Sequence, residues 1–92
     1  MNKAELVELI ANKTETSKRQ SEECLDLIVN AITKSVARGE KVTLVGFGTF
    51  QRRDRRARKG RNPKTGAEID IPAKKVPAFT AGKQFRSVVN KR

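Results

Sequence analysis

"RRDRRARKGRNPKTG", Arg52 to Gly66, is the stretch that decides how this chain folds. It packs eight Lys and Arg into 15 residues against one acid, Asp54. Charge runs of this kind are usually solvated tails. This one lies mid-chain, ends in the turn residues Asn62-Pro63-Lys64-Thr65-Gly66, and is followed by Ala67-Glu68-Ile69-Asp70-Ile71-Pro72-Ala73, where apolar and polar residues alternate. Read with a period of two, Arg53, Arg55, Ala57, Lys59 and Arg61 share one face, and Arg52, Asp54, Arg56, Arg58 and Gly60 share the other. Neither face is apolar, and a strand with no apolar face cannot pack in a core. The pattern predicts a two-stranded arm over 52–76 that projects into solvent or against a partner. Eleven residues at about 3.3 Å each give it a reach of roughly 35 Å. A turn centred on Lys64 sets Arg58 opposite Asp70 and Asp54 opposite Lys74, two cross-strand charge pairs. Pro72 lacks an N–H, which suits an edge or a bend.

Before the arm, two helices are expected. Asn2 with Glu5 makes a capping-box start, and Leu6, Leu9 and Ile10 form one apolar stripe of a helix ending near Thr14. Ser17 with Gln20 opens a second helix over Lys18–Arg38, striped by Leu25, Ile28, Val29, Ile32 and Val36, widened by Cys24, Leu27 and Ala31, and stopped by Gly39. Val42, Leu44 and Val45 then start a hairpin around Gly46-Phe47-Gly48, and Thr49-Phe50 resume the strand. After the arm, Ala78-Phe79 rejoin the body, and Phe85, Val88 and Val89 mark a short amphipathic helix. The glycines do not complete a dinucleotide fingerprint or a phosphate loop.

The 92 residues fit one domain, with 1–51 and 77–92 as body and 52–76 as arm. The formal net charge is +11, which points to a polyanionic partner. The charge is uneven: residues 1–40 are net −1, whereas 51–77 are net +7. That imbalance argues against a helix-turn-helix reader, because the second helix carries Glu22, Glu23 and Asp26 where it would meet phosphate. One cysteine, Cys24, allows no internal disulfide and is expected in the core or an interface. The absence of His removes most general-base and zinc arrangements, so the chain is read as a non-enzyme with no cofactor and no metal. No apolar run spans a membrane, and Met1–Leu9 carries Lys3, Glu5 and Glu8, unlike a signal peptide; a soluble cytoplasmic protein is expected.

Without the arm about 67 residues remain, and a chain below about 70–80 residues usually needs a staple. With disulfide and metal set aside, oligomerisation is the remaining route. Leu25, Ile28, Val29, Ile32, Val36, Leu44, Phe47, Phe50 and Phe79 are expected to form the core of an intertwined homodimer. Two-fold symmetry then presents a pair of arms.

The arm's cations, Arg52, Arg53, Arg55, Arg56, Arg58, Lys59, Arg61 and Lys64, suit groove binding, since Arg enters narrow minor grooves. Lys74 and Lys75 lie on the return strand. Pro63 at the tip is a candidate wedge between base steps. Lys3, Lys83 and Arg86 on the body are candidate phosphate contacts, with Lys18, Arg19 and Lys91 as further surface cations. An RNA reader is the secondary possibility, but Tyr and Trp are absent and the four Phe fall at core positions. A site-specific bending factor is another.

The segments "GFGTF" at 46–50, "RRARKGRNPKTG" at 55–66, "VPAF" at 76–79, "GK" at 82–83 and the opening "MNKAELVELIA" resemble the bacterial HU / integration host factor family, and HU more than integration host factor. The resemblance covers essentially the whole chain. It implies an α+β fold: an intertwined helical dimer body with a three-stranded sheet per subunit, extended into a β-ribbon arm. It implies a histone-like nucleoid protein that bends and compacts duplex DNA through the minor groove with little sequence preference. Bent, nicked, gapped or cruciform DNA would be favoured, and pairing with a paralogue is open. Pro63 would be the intercalating residue, with Arg53, Arg55, Arg58, Arg61 and Asn62 as groove and backbone contacts. Lys3 and Asp26 match an ion pair that in some relatives opens when DNA wraps the body. Phe85 departs from the Leu of many relatives.

Overall fold

A computed structural model describes residues 1–91. In chain order the elements are α1 (Lys3–Thr14), α2 (Lys18–Ala37), β1 (Val42–Leu44), β2 (Gly48–Arg55), β3 (Arg58–Arg61), β4 (Glu68–Ile71), β5 (Lys74–Ala81) and α3 (Lys83–Val89). The backbone forms two compact units, Met1–Lys34 and the rest from Ser35 onward.

In the first unit the caps arise from the expected residues. Asn2 Oδ1 accepts from Glu5 N at 2.9 Å, and Ser17 Oγ accepts from Gln20 N at 3.1 Å. Each satisfies an N–H that the first helical turn leaves without a partner. The buried residues of α1 are Val7 and Ala11, spaced four apart, whereas Leu9 is exposed. The apolar stripe expected at Leu6, Leu9 and Ile10 is thus rotated toward smaller side chains. Ser21 is buried, and its hydroxyl is held by Thr16, which in turn meets Thr14. The hydroxyls of Thr14, Thr16 and Ser21 each have a partner, so the polar burial of Ser21 carries no desolvation penalty for a lost hydrogen bond.

In the second unit, α2 ends in a Schellman motif. Gly39 N donates to Val36 O and Glu40 N to Ser35 O, both at 2.9 Å, and Gly39 takes φ 90°. That left-handed conformation costs Gly little and other residues much. The first hairpin is one residue earlier than expected. Phe47 N donates to Leu44 O, so Val45 sits in the turn, almost fully exposed, and Gly48 belongs to β2. The sheet order is β1-β2-β5, all antiparallel, and β3 pairs with β4 in a separate two-stranded ribbon. Four phenylalanines knit this unit: Phe47 stacks on Phe85 at 5.1 Å, and Phe50 meets Phe79 at 4.8 Å. Such pairs add about 0.5–1.5 kcal/mol each beyond area burial. Phe85, in place of a leucine, is therefore part of an aromatic stack.

Within the single chain the expected dimer core is only partly covered. Val36 is buried; Leu25, Ile32 and Phe50 are half-buried. Ile28, Val29, Leu44, Phe47 and Phe79 are between 41% and 53% exposed. Leu27, Val88 and Val89 are more open still, and Cys24 is exposed in the single chain, which excludes the core as its place and leaves an interface.

Candidate nucleic-acid interface

The basic stretch forms hairpin strand, as its alternation and turn residues predict. Both ladders hold a single register. Gly48 pairs with Ala81 and Arg55 with Lys74; further out, Arg58 pairs with Ile71 and Arg61 with Glu68. Between the ladders lie Arg56-Ala57 on one strand and Pro72-Ala73 on the other, two residues against two. Pro72 has no N–H to donate, so the ladder stops there without changing register. The strands run unbroken across residues 51–52 and 76–77, so the interruption lies farther out than the expected start of the arm.

That register corrects the expected charge pairing by one residue. Arg58 lies opposite Ile71, not Asp70, and Asp54 opposite Lys75, not Lys74. The turn centres between Lys64 and Thr65 because Asn62 closes it: Asn62 N donates to Ala67 O at 2.9 Å and Gly66 N donates to Asn62 O at 2.7 Å. Asn62 Oδ1 also accepts from Lys64 N at 2.8 Å. Asn62 is thus a half-buried organiser of the tip, and Pro63 beside it is exposed.

A shift of one residue changes which side chains share a face. On one face of the outer ribbon lie Arg58, Gly60, Ile69 and Ile71; a Cβ on Gly60 would stand 2.8 Å from Ile71 Cδ1. On the other lie Lys59 and Arg61 with Glu68 and Asp70. Lys59 Nζ sits 3.9 Å from Glu68 and 4.0 Å from Asp70. The formal charge of that second face is balanced, whereas the Arg58 face holds a cation beside two isoleucines.

Nearer the body, Arg53 and Arg55 are exposed on the side of β2 away from Phe50, opposite Val76 and Lys74. Asp54, Arg55, Arg56, Ala73, Lys74 and Lys75 line a shallow cleft at the ladder interruption. Arg52 is different. It shares a sheet face with Phe50, its side chain is only 25% exposed, and it is paired with Asp54 at 3.1 Å. Among the described residues no acid lies within ion-pair distance of Arg53, Arg55, Arg56, Arg58, Arg61, Lys64, Lys74 or Lys75. In α3, Lys83 and Arg86 lie beside Ser87 and Asn90 on one exposed patch.

In the first unit Lys3 Nζ meets Asp26 at 2.8 Å and Glu22 at 3.6 Å. The hydrogen bond to Asp26, then its charge, and more weakly Glu22, raise the Lys3 pKa above the ordinary 10.5. Asp26 is the partner that the resemblance implies for Lys3, and Glu22 joins it; the i, i+4 spacing of the two acids on one helix is the signal for both. Among the described residues no group of three or more His, Cys, Asp or Glu could hold a metal ion, and no helix is long and apolar enough to cross a membrane.

Known proteins resemble this arrangement throughout. A family model described as "Bacterial DNA-binding protein" matches residues 1–90. DNA-binding protein HU of Staphylococcus aureus (strain COL) is 51% identical over 89 residues, covering 97% of this chain and 99% of its own. DNA-binding protein HU of Nostoc sp. is 52% identical over 89 residues, covering 97% and 95%. Among solved structures, the Anabaena HU-DNA cocrystal structure matches with a TM-score of 0.89 at 50% identity over the whole of both chains. HU from Thermotoga maritima matches at 0.69 and 31% identity, covering 98% of this chain and all of the other. A self-paired basic ribbon on an α+β body, matched from end to end by these relatives, places the chain in the bacterial DNA-binding protein family, as an architectural, histone-like DNA-binding protein of the HU type.

Proposed function

We propose that this protein binds duplex DNA by laying its ribbon arm in the minor groove, bends it with little regard to sequence, and works as a homodimer in the nucleoid. One observation carries the reading: the outer ribbon is complete by its own backbone pairing, so its side chains are spare for a partner. The Arg58, Gly60, Ile69, Ile71 face suits a groove, where apolar contact meets sugars and Arg meets the enhanced negative potential. Pro63 is exposed and braced by the hydrogen bonds of Asn62, which supports its reading as a wedge between base steps. Arg53, Arg55, Arg56, Lys74 and Lys75 meet phosphates at the root of the arm, and Lys3, Lys83 and Arg86 do so where DNA bends back. Specificity arises from deformability, so nicked, gapped or four-way DNA binds better than linear duplex because part of the bending cost is already met.

Dimerisation is supported by the exposed Leu27, Ile28, Val29, Leu44, Phe47, Phe79, Val88 and Val89. Scattered apolar residues are normal on a surface, but this many large ones in so short a chain mark an interaction surface. Sedimentation is expected to give twice the 10.3 kDa chain mass. Replacing Pro63 with Ala tests the wedge: the bend measured by energy transfer across a short duplex falls while low-salt binding persists. An unchanged bend overturns the role of Pro63. Competition by RNA that matches competition by duplex DNA overturns the groove reading.

A further inference from the structure

We propose that Arg52 is a positioning residue: it clamps the root of the arm to the carboxyl end of α2 and sets the arm's direction instead of contacting DNA. The Schellman bonds satisfy the carbonyls of Ser35 and Val36 but leave that of Ala37. Arg52 Nη1 donates to Ala37 O at 3.3 Å, a cation at the negative end of the helix dipole. The same guanidinium turns Nε to Asp54 Oδ1 at 3.1 Å. Its plane lies over Gly39, where a Cβ would stand 3.4 Å from Nη2. One side chain therefore spans three points: a helix carbonyl, the surface left open by the C′ glycine, and a carboxylate two residues farther along β2. Asp54 stands one residue before the last paired residue of β2, Arg55, so the clamp acts just before the ladder interruption.

The fork matters to this role. A guanidinium presents donors at fixed angles to two acceptors, whereas an ammonium is a single flexible point charge. Arg52 is also turned toward the core side of the sheet, the side of Phe50 and Phe79, while Arg53 and Arg55 face the other way. A cation already hydrogen-bonded, ion-paired and three-quarters covered has little left for a phosphate.

The inference rests on the ribbon being the DNA-binding arm, but its first test needs no DNA. In the free protein, nitrogen-15 spectra are expected to show a slowly exchanging Arg52 Nε–H, with those of Arg53 and Arg55 exchanging freely. Adding a DNA duplex shifts the Arg53 and Arg55 signals and leaves Arg52 nearly in place. The second test compares R52A, R52K and R53A. R52A and R52K both keep the salt slope of binding and both broaden the distribution of bend angles. R53A lowers the slope by about one per arm. An Arg52 Nε–H that exchanges as fast as its neighbours overturns the clamp even if the variants fold poorly. Rescue of both bend distribution and affinity by R52K, with R52A losing a phosphate's worth of slope, assigns Arg52 to DNA. Failure of DNA binding with a protected Arg52 Nε–H overturns the arm's function and leaves the clamp intact.

Discussion

The balanced face of the outer ribbon can be unbalanced by removing its two acids. Lys59 is shared between Glu68 and Asp70 at 3.9 and 4.0 Å, and all three side chains are mostly exposed. The double variant E68Q/D70N keeps the hairpin's shape, because both amides are close in size to the carboxylates and neither side chain holds a backbone hydrogen bond among those of the turn. It frees Lys59 to neutralise one more phosphate on each arm. Each added contact steepens the slope of log Kobs against log salt by about 0.9, so a two-armed dimer steepens by about 1.8. Between 400 mM and 50 mM salt that corresponds to about 6.5-fold tighter binding per arm at the lower concentration. Anisotropy of a labelled duplex between 50 and 400 mM salt reads both numbers. K59A is the control: it leaves two acids without their cation, so binding weakens without the slope falling by a full unit per arm. The reasoning is refuted if E68Q/D70N leaves slope and affinity unchanged, because the Lys59 face would then point away from phosphate in the complex. A shallower slope would refute it equally.

G48A is expected to destabilise the body. A Cβ there would stand 2.5 Å from the Phe79 ring and 2.6 Å from Thr80 O, and the backbone oxygen cannot move aside cheaply; overpacking of this kind costs about 1–3 kcal/mol, read as a lowered Tm. Because Lys3 has its pKa raised by Asp26, the pair's stabilisation is fully present below the ordinary lysine value of 10.5 and fades as pH rises through the higher folded value. D26N should therefore remove part of the alkaline fall in Tm above that pH; identical alkaline limbs for the two proteins would contradict the pairing. Replacing Val29 with Glu, on the exposed apolar face of α2, should make sedimentation shift toward the single-chain mass and lower the midpoint of thermal unfolding.

Much of the fold is written locally. Asn2 and Ser17 start helices because their side chains replace absent backbone acceptors, and Gly39 ends one because only a residue without Cβ takes φ 90° at little cost. The arm was legible for a related reason: a run with charge on both faces of a strand has no core to enter, and Asn62-Pro63 with Gly66 can only turn. These are properties of a few consecutive residues, and neighbours in sequence suffice to express them.

The register of the ribbon and the duty of each arginine were not legible in this way. Charge pairing suggested Arg58 against Asp70, but cross-strand ion pairs on an exposed ribbon are weak, and the hydrogen bonds around Asn62 and the body ladder fixed a register one residue away. One residue of slip reverses faces, so Lys59 fell among acids and Arg58 beside isoleucines. Composition and alternation alone dictate that a basic hairpin leaves the body and that the large apolar residues need a second surface. That Arg52, one of eight similar cations, turns inward follows from packing between distant parts of the chain. That choice depends on the end of α2, fifteen residues earlier in the chain, presenting Ala37 O beside a glycine, where a guanidinium can satisfy a carbonyl and a carboxylate together.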